Sequence, residues 1–224
     1  MATSTRWLPL ESNPDVMNKY IAQLGINNQD WQFCDVYSFD DEVLQFIPRP
    51  VVATLLLYRI SDKSDGDQMG NECGDAGVYF IKQTIGNACG TIGLIHALCN
   101  NVDKLHFDAD KHLNKFFNDT KGLTPEERGE KLENDPAFGE AHEEVACEGQ
   151  SKVPSRDEKI DLHFVAFIHH NGKILELDGR KGAPIDHGPS SEETLLEDSI
   201  KVVKKFMERN PSDINFTVVA LAKA

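Results

Sequence analysis

The sequence lacks a long apolar run. No window approaches the ~20 apolar residues of a membrane-spanning helix, and the opening MATSTRWLPLESNPDV has no apolar core of the signal-peptide kind. Basic residues are also scarce, because 23 Lys and Arg stand against 37 Asp and Glu, a formal net charge of −14. This balance argues against nucleic acids and anionic membranes as partners. We expect a cytosolic or nuclear protein whose acidic surface attracts basic partners.

The sequence also lacks cysteines spaced as closely linked pairs. The chain has five cysteines, an odd number, and no CxxC motif. They are Cys34, Cys73, Cys89, Cys99 and Cys147. In a reducing compartment such scattered thiols are expected to be free, and neither a disulfide framework nor a zinc site is predicted.

Repeats and interdomain linkers are absent, and helical and strand patterns alternate along the chain. A short helix is predicted from Pro14 to Gly25, and VVATLLLYRI is typical of a strand buried on both faces. QFCDVYSF, DDEVLQFIP, SSEETLLEDSIKVVKKFMERNP and INFTVVALA predict a strand, a short helix, an amphipathic helix and a closing strand. VYFIKQ is either a strand or an irregular lead-in. We therefore predict one α/β domain, 1–224, with helices packed on a largely antiparallel sheet.

The segments between these elements are polar. Residues 61–77 are rich in glycine and acidic residues and predict a mobile loop. LHFDADKHLNKFFNDT and LTPEERGEKLEND predict two amphipathic helices. Residues 139–159 are charged and show little periodicity, and irregular segments of about twenty residues in a compact domain are often lids.

Cys89 lies where a glycine-punctuated stretch changes into an apolar run with helical spacing. Asn87 is the predicted N-cap, so Cys89 falls in the first helical turn, where the partial positive charge favours a thiolate. The predicted buried stripe of this helix is Ile92, Ile95, Leu98 and Cys99. Glycines at 86, 90 and 93 allow another backbone to approach. Position alone leaves a reactive and a structural cysteine equally open.

The stretch DLHFVAFIHHNGKILELDG predicts a β-hairpin with an Asn171–Gly172 turn. A two-residue turn opposes residues whose numbers sum to 343, which places His163, Val165 and Asp178 on one face. Asp178 is then diagonal to His163, and a carboxylate holding an imidazole is the base half of a Cys–His–Asp arrangement. A three-residue turn would shift this register, and a structural His–Asp pair is the alternative.

The other seven histidines are expected to be surface or packing residues without a special role. They are His169 and His170 at the turn, His96 on the helix of the cysteine, and His106, His112, His142 and His187 in polar surroundings. Gln83 precedes Cys89 by six residues. Its amide and the Cys89 N–H could be two donors to an oxyanion, although a glutamine at a strand end is more often surface filler.

Several stretches together resemble the ubiquitin C-terminal hydrolase family of cysteine deubiquitinases. They are QTIGNACGTIGLIHAL, DLHFVAFI, ELDGRKGAPIDHG and ETLLEDSIKVVKKFMERNP, with RWLPLESNP, WQFCDVY and IPRPV. The chain is similar to the short isozymes without a C-terminal extension, of the ubiquitously expressed type. The resemblance implies a papain-like α–β–α sandwich with a knotted backbone, in which residues 139–159 form a crossover loop at the active site.

The resemblance also implies roles for individual residues. Cys89 would be the nucleophile, His163 the general base and acid, Asp178 the carboxylate that orients His163, and Gln83 the oxyanion donor. Ubiquitin would be the partner, together with a related ubiquitin-like modifier. Asp35, Leu10 and Leu162 would contact it.

Such an enzyme needs no metal or organic cofactor, and we expect a monomer. A ubiquitin-binding module that sequesters free ubiquitin is the alternative function, and a general papain-like peptidase is a third. The acidic loop 61–77 matches no short isozyme, and Cys147 is expected to be an exposed loop thiol.

Overall fold

The computed structural model describes residues 5–27, 29–60, 69–74, 77–151, 154–156, 158, 160–209 and 211–224. Over these residues the strands are β1 (Trp31–Asp35), β2 (Val51–Arg59), β3 (Asn71–Glu72), β4 (Leu162–His170), β5 (Lys173–Leu177), β6 (Ile185–Pro189) and β7 (Thr217–Lys223). They form one sheet in the order β1-β7-β2-β4-β5-β6-β3, and every neighbouring pair is antiparallel. The predicted antiparallel sheet is confirmed.

Helices cover both faces of this sheet. They are α1 (Pro14–Leu24), α2 (Asp41–Leu44), α3 (Cys89–Cys99), α4 (Val102–Leu105), α5 (His112–Thr120), α6 (Pro125–Glu133), α7 (Pro136–Ala146) and α8 (Leu195–Arg209). One core cluster joins α1 and α3 to the face that carries Leu55 and Phe164. The other joins α8 to the face that carries Leu56 and Val165. In the described part of the chain, none of the helices combines the length and apolar character that a bilayer crossing demands.

Helix α3 lies in the centre of the molecule. All of its residues from 90 to 99 are buried, so the predicted one-sided stripe was wrong in extent. The sheet covers one side of the helix through Leu55 and Phe164, which approach Gly93, and Leu10 covers another at Gly90. A helix enclosed in this way is apolar all round, and its first residue, Cys89, is held in a fixed position.

The ends of α1 follow the sequence pattern. Asn13 is the N-cap, with its side chain accepting from the Asp15 N–H at 2.9 Å, and Gly25 ends the helix with φ of 109°. From the middle of this helix Asn18 contacts the edge strand β1. Its Oδ1 accepts from Phe33 N at 2.6 Å and its Nδ2 donates to Phe33 O at 2.9 Å. The Asn18 amide thus occupies the place of a neighbouring strand.

The β4–β5 hairpin has the predicted register. Ladder pairs run from Ala166 opposite Leu177 to His170 opposite Lys173, and the numbers of each pair sum to 343. Asn171 and Gly172 have φ of 49° and 77°, as a primed two-residue turn requires. The ladder ends at the pair Ala166–Leu177, so His163 of β4 and Asp178, the residue after β5, lie just beyond it.

Residues 139–159 were predicted to lack regular structure, and this prediction was wrong for residues 139–146, which are helical. Helix α7 runs to Ala146 and begins at the N-cap Asp135, whose side chain accepts from two backbone N–H groups. Its buried stripe includes Phe138, His142 and Val145. A histidine in the stripe hid the period, because apolar periodicity counts only apolar side chains. The irregular segment therefore begins at Cys147, which is exposed as predicted.

Three further differences concern local structure. LHFDADKHLNKFFNDT forms one helix, α5, but this helix begins only at His112, and the short α4 that ends at Leu105, before His106 with its left-handed φ of 50°, was not predicted. VYFIKQ forms no strand and is the lead-in to α3, while β6 was not predicted. Of the predicted loop 61–77, residues 61–68 and 75–76 lie outside the described residues, and Asn71–Glu72 form β3.

Candidate active site

Cys89 is the first residue of α3, but Asn87 does not cap the helix as predicted. Ala88 holds the N-cap position without a side-chain bond. Asn87 has a left-handed φ of 63°, and its Nδ2 donates to Trp7 O at 3.1 Å. The Asn87 side-chain amide therefore bonds to a distant backbone carbonyl instead of the end of its own helix. Cys89 remains in the first turn, so the helix still favours a thiolate there.

The N-terminal strap, residues 5–10, lies directly beside this turn. Trp7 N donates to Gly86 O at 2.9 Å. A Cβ on Gly90 would meet Leu10 at 2.8 Å, and one on Gly86 would meet the side chain of Arg6 at 2.6 Å. The two glycines therefore permit the close approach that the sequence predicts.

His163 and Asp178 form a buried pair at the mouth of the hairpin. His163 Nε2 donates to Asp178 Oδ1 at 2.7 Å, and each residue is 3% exposed. Burial alone would raise the pKa of Asp178, but the hydrogen bond and charge of His163 lower it below its ordinary value. Arg180 N also donates to Asp178 Oδ1, at 2.9 Å. The carboxylate is thereby held ionised and oriented.

The second ring nitrogen of His163, Nδ1, is left for the thiol of Cys89. Burial would raise the pKa of Cys89, but the hydrogen bond and charge of His163 lower it below its ordinary value. Burial would likewise lower the pKa of His163, but Asp178 and Cys89 raise it to about 9. The two shifts favour a thiolate beside an imidazolium, the reactive form of a Cys–His pair.

Gln83 is attached to the turn that carries Asp178. Its N–H donates to Gly179 O at 2.9 Å, and its Nε2 donates to Ile85 O at 3.0 Å. An amide nitrogen has two N–H bonds, so the second is free for an oxyanion. Cys89 N–H, at the first position of α3, has no intrahelical acceptor. The roles of Gln83 and the Cys89 N–H as oxyanion donors stay predictions.

His96, expected as packing or edge, is buried within the same assembly. Its Nε2 accepts from Ile81 N at 3.0 Å, and its ring stacks on Phe80 with centroids 5.1 Å apart. Burial lowers the pKa of His96 to about 4. A neutral histidine on α3 thus fixes the segment that leads to Gln83.

The predicted substrate residues line two adjoining clefts. Leu10 and Leu162 line a cavity of about 370 Å³ together with Cys89. Asp35 lies in the second cleft, and Glu11 and Ser12 line both. The cleft that contains Asp35 therefore adjoins the cavity that contains the thiol.

Part of the irregular segment covers the first cavity. We call the described residues of this stretch (147–151, 154–156, 158 and 160) the covering loop, of which Ser151, Pro154 and Ile160 line the cavity. Ser151 Oγ donates to Glu11 Oε1 at 3.1 Å. Arg156, on the same loop, is paired at 2.6 Å with Glu143 of α7.

His142 was expected in polar surroundings, which was wrong, because it is fully buried. Its Nε2 donates to Leu8 O at 2.6 Å, and its Nδ1 lies 2.7 Å from Thr91 Oγ1. Burial lowers the pKa of His142, so the ring is neutral. It connects α7, the strap and α3 two residues after Cys89. Its buried partners come from distant segments, and no local signal could have found them.

His187 was also expected to have no special role. Its side chain is 2% exposed, and its Nε2 bonds to Glu176 Oε2 at 2.8 Å. Lys181 Nζ bonds to the other oxygen, Glu176 Oε1, at 2.5 Å. A carboxylate among the apolar residues Ile174, Leu175 and Leu177 of β5 was the signal available in the sequence. Among the described residues, no group of three His, Cys, Asp or Glu side chains is arranged to hold a metal ion.

Comparison with known proteins agrees with this arrangement. The sequence model of ubiquitin carboxyl-terminal hydrolase family 1 matches residues 7–208. The chain belongs to this family of cysteine-type peptidases. The family prediction is confirmed; the choice among short isozyme types stays a prediction.

Relatives match over nearly their full length. A ubiquitin carboxyl-terminal hydrolase of Aplysia californica is 48% identical over 94% of this chain and 99% of its own. Ubiquitin carboxyl-terminal hydrolase 3 of Arabidopsis thaliana is 43% identical over 99% and 96%, and isozyme L1 of Homo sapiens is 42% identical over 96% and 98%.

A solved structure supports the fold. The Trichinella spiralis UCH37 catalytic domain bound to ubiquitin vinyl methyl ester superposes with a TM-score of 0.80 at 24% identity. It covers 97% of this chain and 95% of that one. At this identity the likeness concerns the fold alone, and the predicted papain-like sandwich is confirmed. The knotted backbone stays a prediction.

Proposed function

We propose that the protein releases small adducts or short peptides from the C-terminal glycine of ubiquitin through an acyl-enzyme on Cys89. The observation that carries the proposal is the buried His163–Asp178 pair beside a half-buried thiol whose pKa it lowers. Family membership supports the same reaction class. Nucleophilic catalysis needs a thiolate, whereas a module that only binds ubiquitin does not. A pair that stabilises the thiolate at neutral pH therefore favours catalysis over simple binding.

In the first half of the reaction, Cys89 Sγ attacks the carbonyl carbon of the terminal glycine. The Cys89 N–H and the free N–H of Gln83 Nε2 stabilise the oxyanion that forms, and each such donor contributes roughly 3 kcal/mol. The tetrahedral intermediate collapses, its bond to the leaving group breaks, and His163 gives its proton to the departing amine or thiol.

In the second half, neutral His163 takes a proton from water as the water oxygen attacks the thioester. The new intermediate collapses, the carbon–sulfur bond breaks, and Cys89 leaves as a thiolate beside the imidazolium. Asp178 keeps the ring oriented through both halves. Apart from the substrate and a water molecule, every group that these steps use belongs to the chain.

The acidic surface near the clefts supports the proposal that the partner is positively charged where it binds. The clefts carry Glu11, Asp15 and Asp35, and the net charge is −14. Such a field attracts a positively charged C-terminal tail and guides it toward the thiol. Leu10 and Leu162, in the first cavity, provide the apolar contacts. Acceptance of a related modifier, a monomeric state and a cytosolic or nuclear location stay predictions.

The covering loop limits the leaving group in this proposal. Ser151, Pro154 and Ile160 line the cavity that contains Cys89, so a substrate must pass beneath them. A small adduct or an extended peptide can do so, whereas a folded protein cannot. Lengthening the loop is expected to widen the range of leaving groups accepted.

The decisive experiment measures turnover of a ubiquitin–fluorophore amide by the wild type and by Cys89→Ala. We expect turnover to be lost in Cys89→Ala and unchanged in Cys147→Ala, an exposed thiol in the covering loop. Equal rates for the wild type and Cys89→Ala would contradict the proposal.

A second measurement separates the alternatives. Ubiquitin carrying a C-terminal electrophile should form a covalent adduct at Cys89, identified by peptide mass. Binding without that bond would indicate a module that sequesters ubiquitin. Cleavage of short peptides lacking ubiquitin, at comparable kcat/KM, would indicate a general peptidase.

A further inference from the structure

A buried ionic network lies next to the turn that carries Asp178, outside the residues assigned to the reaction. Glu176 is 0% exposed, yet both of its oxygens have partners, Lys181 Nζ at 2.5 Å and His187 Nε2 at 2.8 Å. Burying a carboxylate is costly unless it is paired in this way. An apolar residue at this position would avoid the cost of burying a charge. We therefore looked for a function of the network beyond packing.

The network fixes both ends of the turn, residues 178–181. Glu176 precedes the turn on β5, and Lys181 ends it, so their contact joins the two ends. Lys181 N also donates to Asp178 O at 2.9 Å, and Lys82 Nζ donates to Arg180 O and Lys181 O at 2.8 and 2.6 Å. The backbone that carries the Asp178 carboxylate therefore cannot rotate freely.

Charge acts in the same direction. Lys181 pairs with Glu176, and its charge contributes to the lowered pKa of Asp178. His163 faces Asp178 from β4, and His96 approaches it from α3. The Lys181 charge therefore adds to the larger effect of His163, which lowers the pKa of Asp178.

We propose that Lys181, through its contact with Glu176 and with His187 completing the network, is a positioning residue that holds Asp178 against His163. The inference rests on the proposed function, because it acts through the His163–Asp178 pair. Lys181 touches no reacting atom. It determines how well the imidazole is oriented and how strongly its proton is held.

The test compares variants in turnover of a ubiquitin–fluorophore amide across a pH series. For Lys181→Met we expect kcat to fall roughly tenfold with KM changed by less than about twofold, since small misplacements of catalytic groups are costly. The alkaline limb of the pH profile should move down by about half a pH unit, because a less firmly held Asp178 supports the imidazolium less. Lys181→Arg should restore most of the rate.

Two variants serve as controls. Lys173→Met removes a lysine–carboxylate pair between Lys173 of β5 and Asp186 of β6, away from the turn, and should leave kcat unchanged. Lys181→Met leaves the buried Glu176 carboxylate with His187 but without its lysine partner. The double variant Lys181→Met with Glu176→Gln removes that carboxylate charge, so its thermal stability should return toward that of the wild type, while kcat stays low because the contact between the two ends of the turn is still missing. Recovery of kcat in the double variant would overturn the proposal and leave a purely structural pair.

The two hypotheses fail in different ways. A wild-type kcat and pH profile in Lys181→Met, together with loss of turnover in Asp178→Ala, would overturn the role of Lys181 alone. Wild-type rates in both variants would overturn the assignment of Asp178.

Discussion

The two sides of the cleft are built differently. On the inner side, Cys89, His163 and Asp178 come from a central helix and a hairpin, and the imidazole–carboxylate contact is 3% exposed. On the outer side, the covering loop is held by contacts at the surface, such as Arg156 with Glu143, which are 54% and 26% exposed. Exposed ion pairs contribute about 0–1 kcal/mol, whereas breaking a buried pair costs about 3–5 kcal/mol. The catalytic side chains are therefore held by strong buried contacts, and the covering loop above them is held by weaker contacts at the surface.

The largest effect should come from breaking the inner side. In Asp178→Ala the His163 ring loses the acceptor that fixes its tautomer and orientation, so kcat should fall by roughly 100- to 10,000-fold. Turnover of a ubiquitin–fluorophore amide measures it. A loss of less than about threefold would mean that the ring is oriented by its packing against Tyr58 rather than by the carboxylate.

Removing an oxyanion donor should be the next largest effect. Gln83→Ala leaves the Cys89 N–H as the remaining donor, and kcat should fall roughly 100-fold with KM nearly unchanged. Gln83→Glu keeps the shape but replaces the N–H donors with acceptor oxygens, so it should be no better than the alanine variant. A higher rate in Gln83→Glu would contradict a donor role.

The pH profile of kcat/KM sharpens the comparison, because only inner-side groups should shape it. The rate should rise on the acid side as Cys89 loses its proton, at a pH below the ordinary thiol range. It should fall on the alkaline side near pH 9, as His163 loses the proton that its raised pKa retains. An alkaline limb near the ordinary histidine pKa of about 6.5 would contradict the raised value.

The smallest effect should come from the outer side. Arg156→Ala removes an exposed pair, so turnover of a small adduct should change by less than about threefold. Bulkier leaving groups should be released faster relative to small ones, because the covering loop is less restrained. Lys201→Ala, which removes an exposed pair with Asp198 on α8, is the matched control. Identical leaving-group preferences in both variants would contradict gating by the loop.

The same contrast explains how much the sequence could predict. The His163–Asp178 pairing follows from the Asn171–Gly172 turn, because a tight turn fixes the register of both strands. Likewise, the change from a glycine-punctuated stretch to an apolar run with helical spacing places Cys89 at a helix start, although the predicted capping residue, Asn87, was wrong. These inner features depend on local rules, and the structure agrees with both.

What could not be predicted depends on partners distant in sequence. Asn87 binds Trp7, 80 residues away, instead of capping its own helix. His142 is buried although its sequence neighbours are polar, because Leu8 and Thr91 satisfy both ring nitrogens. Charge and polarity of the neighbours indicate exposure only when no tertiary partner compensates, and a single sequence does not reveal such partners.

The Asn18 amide has a consequence for how molecules of this protein meet one another. A sheet margin with unpaired backbone groups is a template on which a second chain can add a strand. At the β1 margin, the two backbone groups of Phe33 are already bonded to Asn18, so an incoming strand finds them occupied. We therefore expect the Asn18 side chain to oppose the pairing of a second copy at the β1 margin.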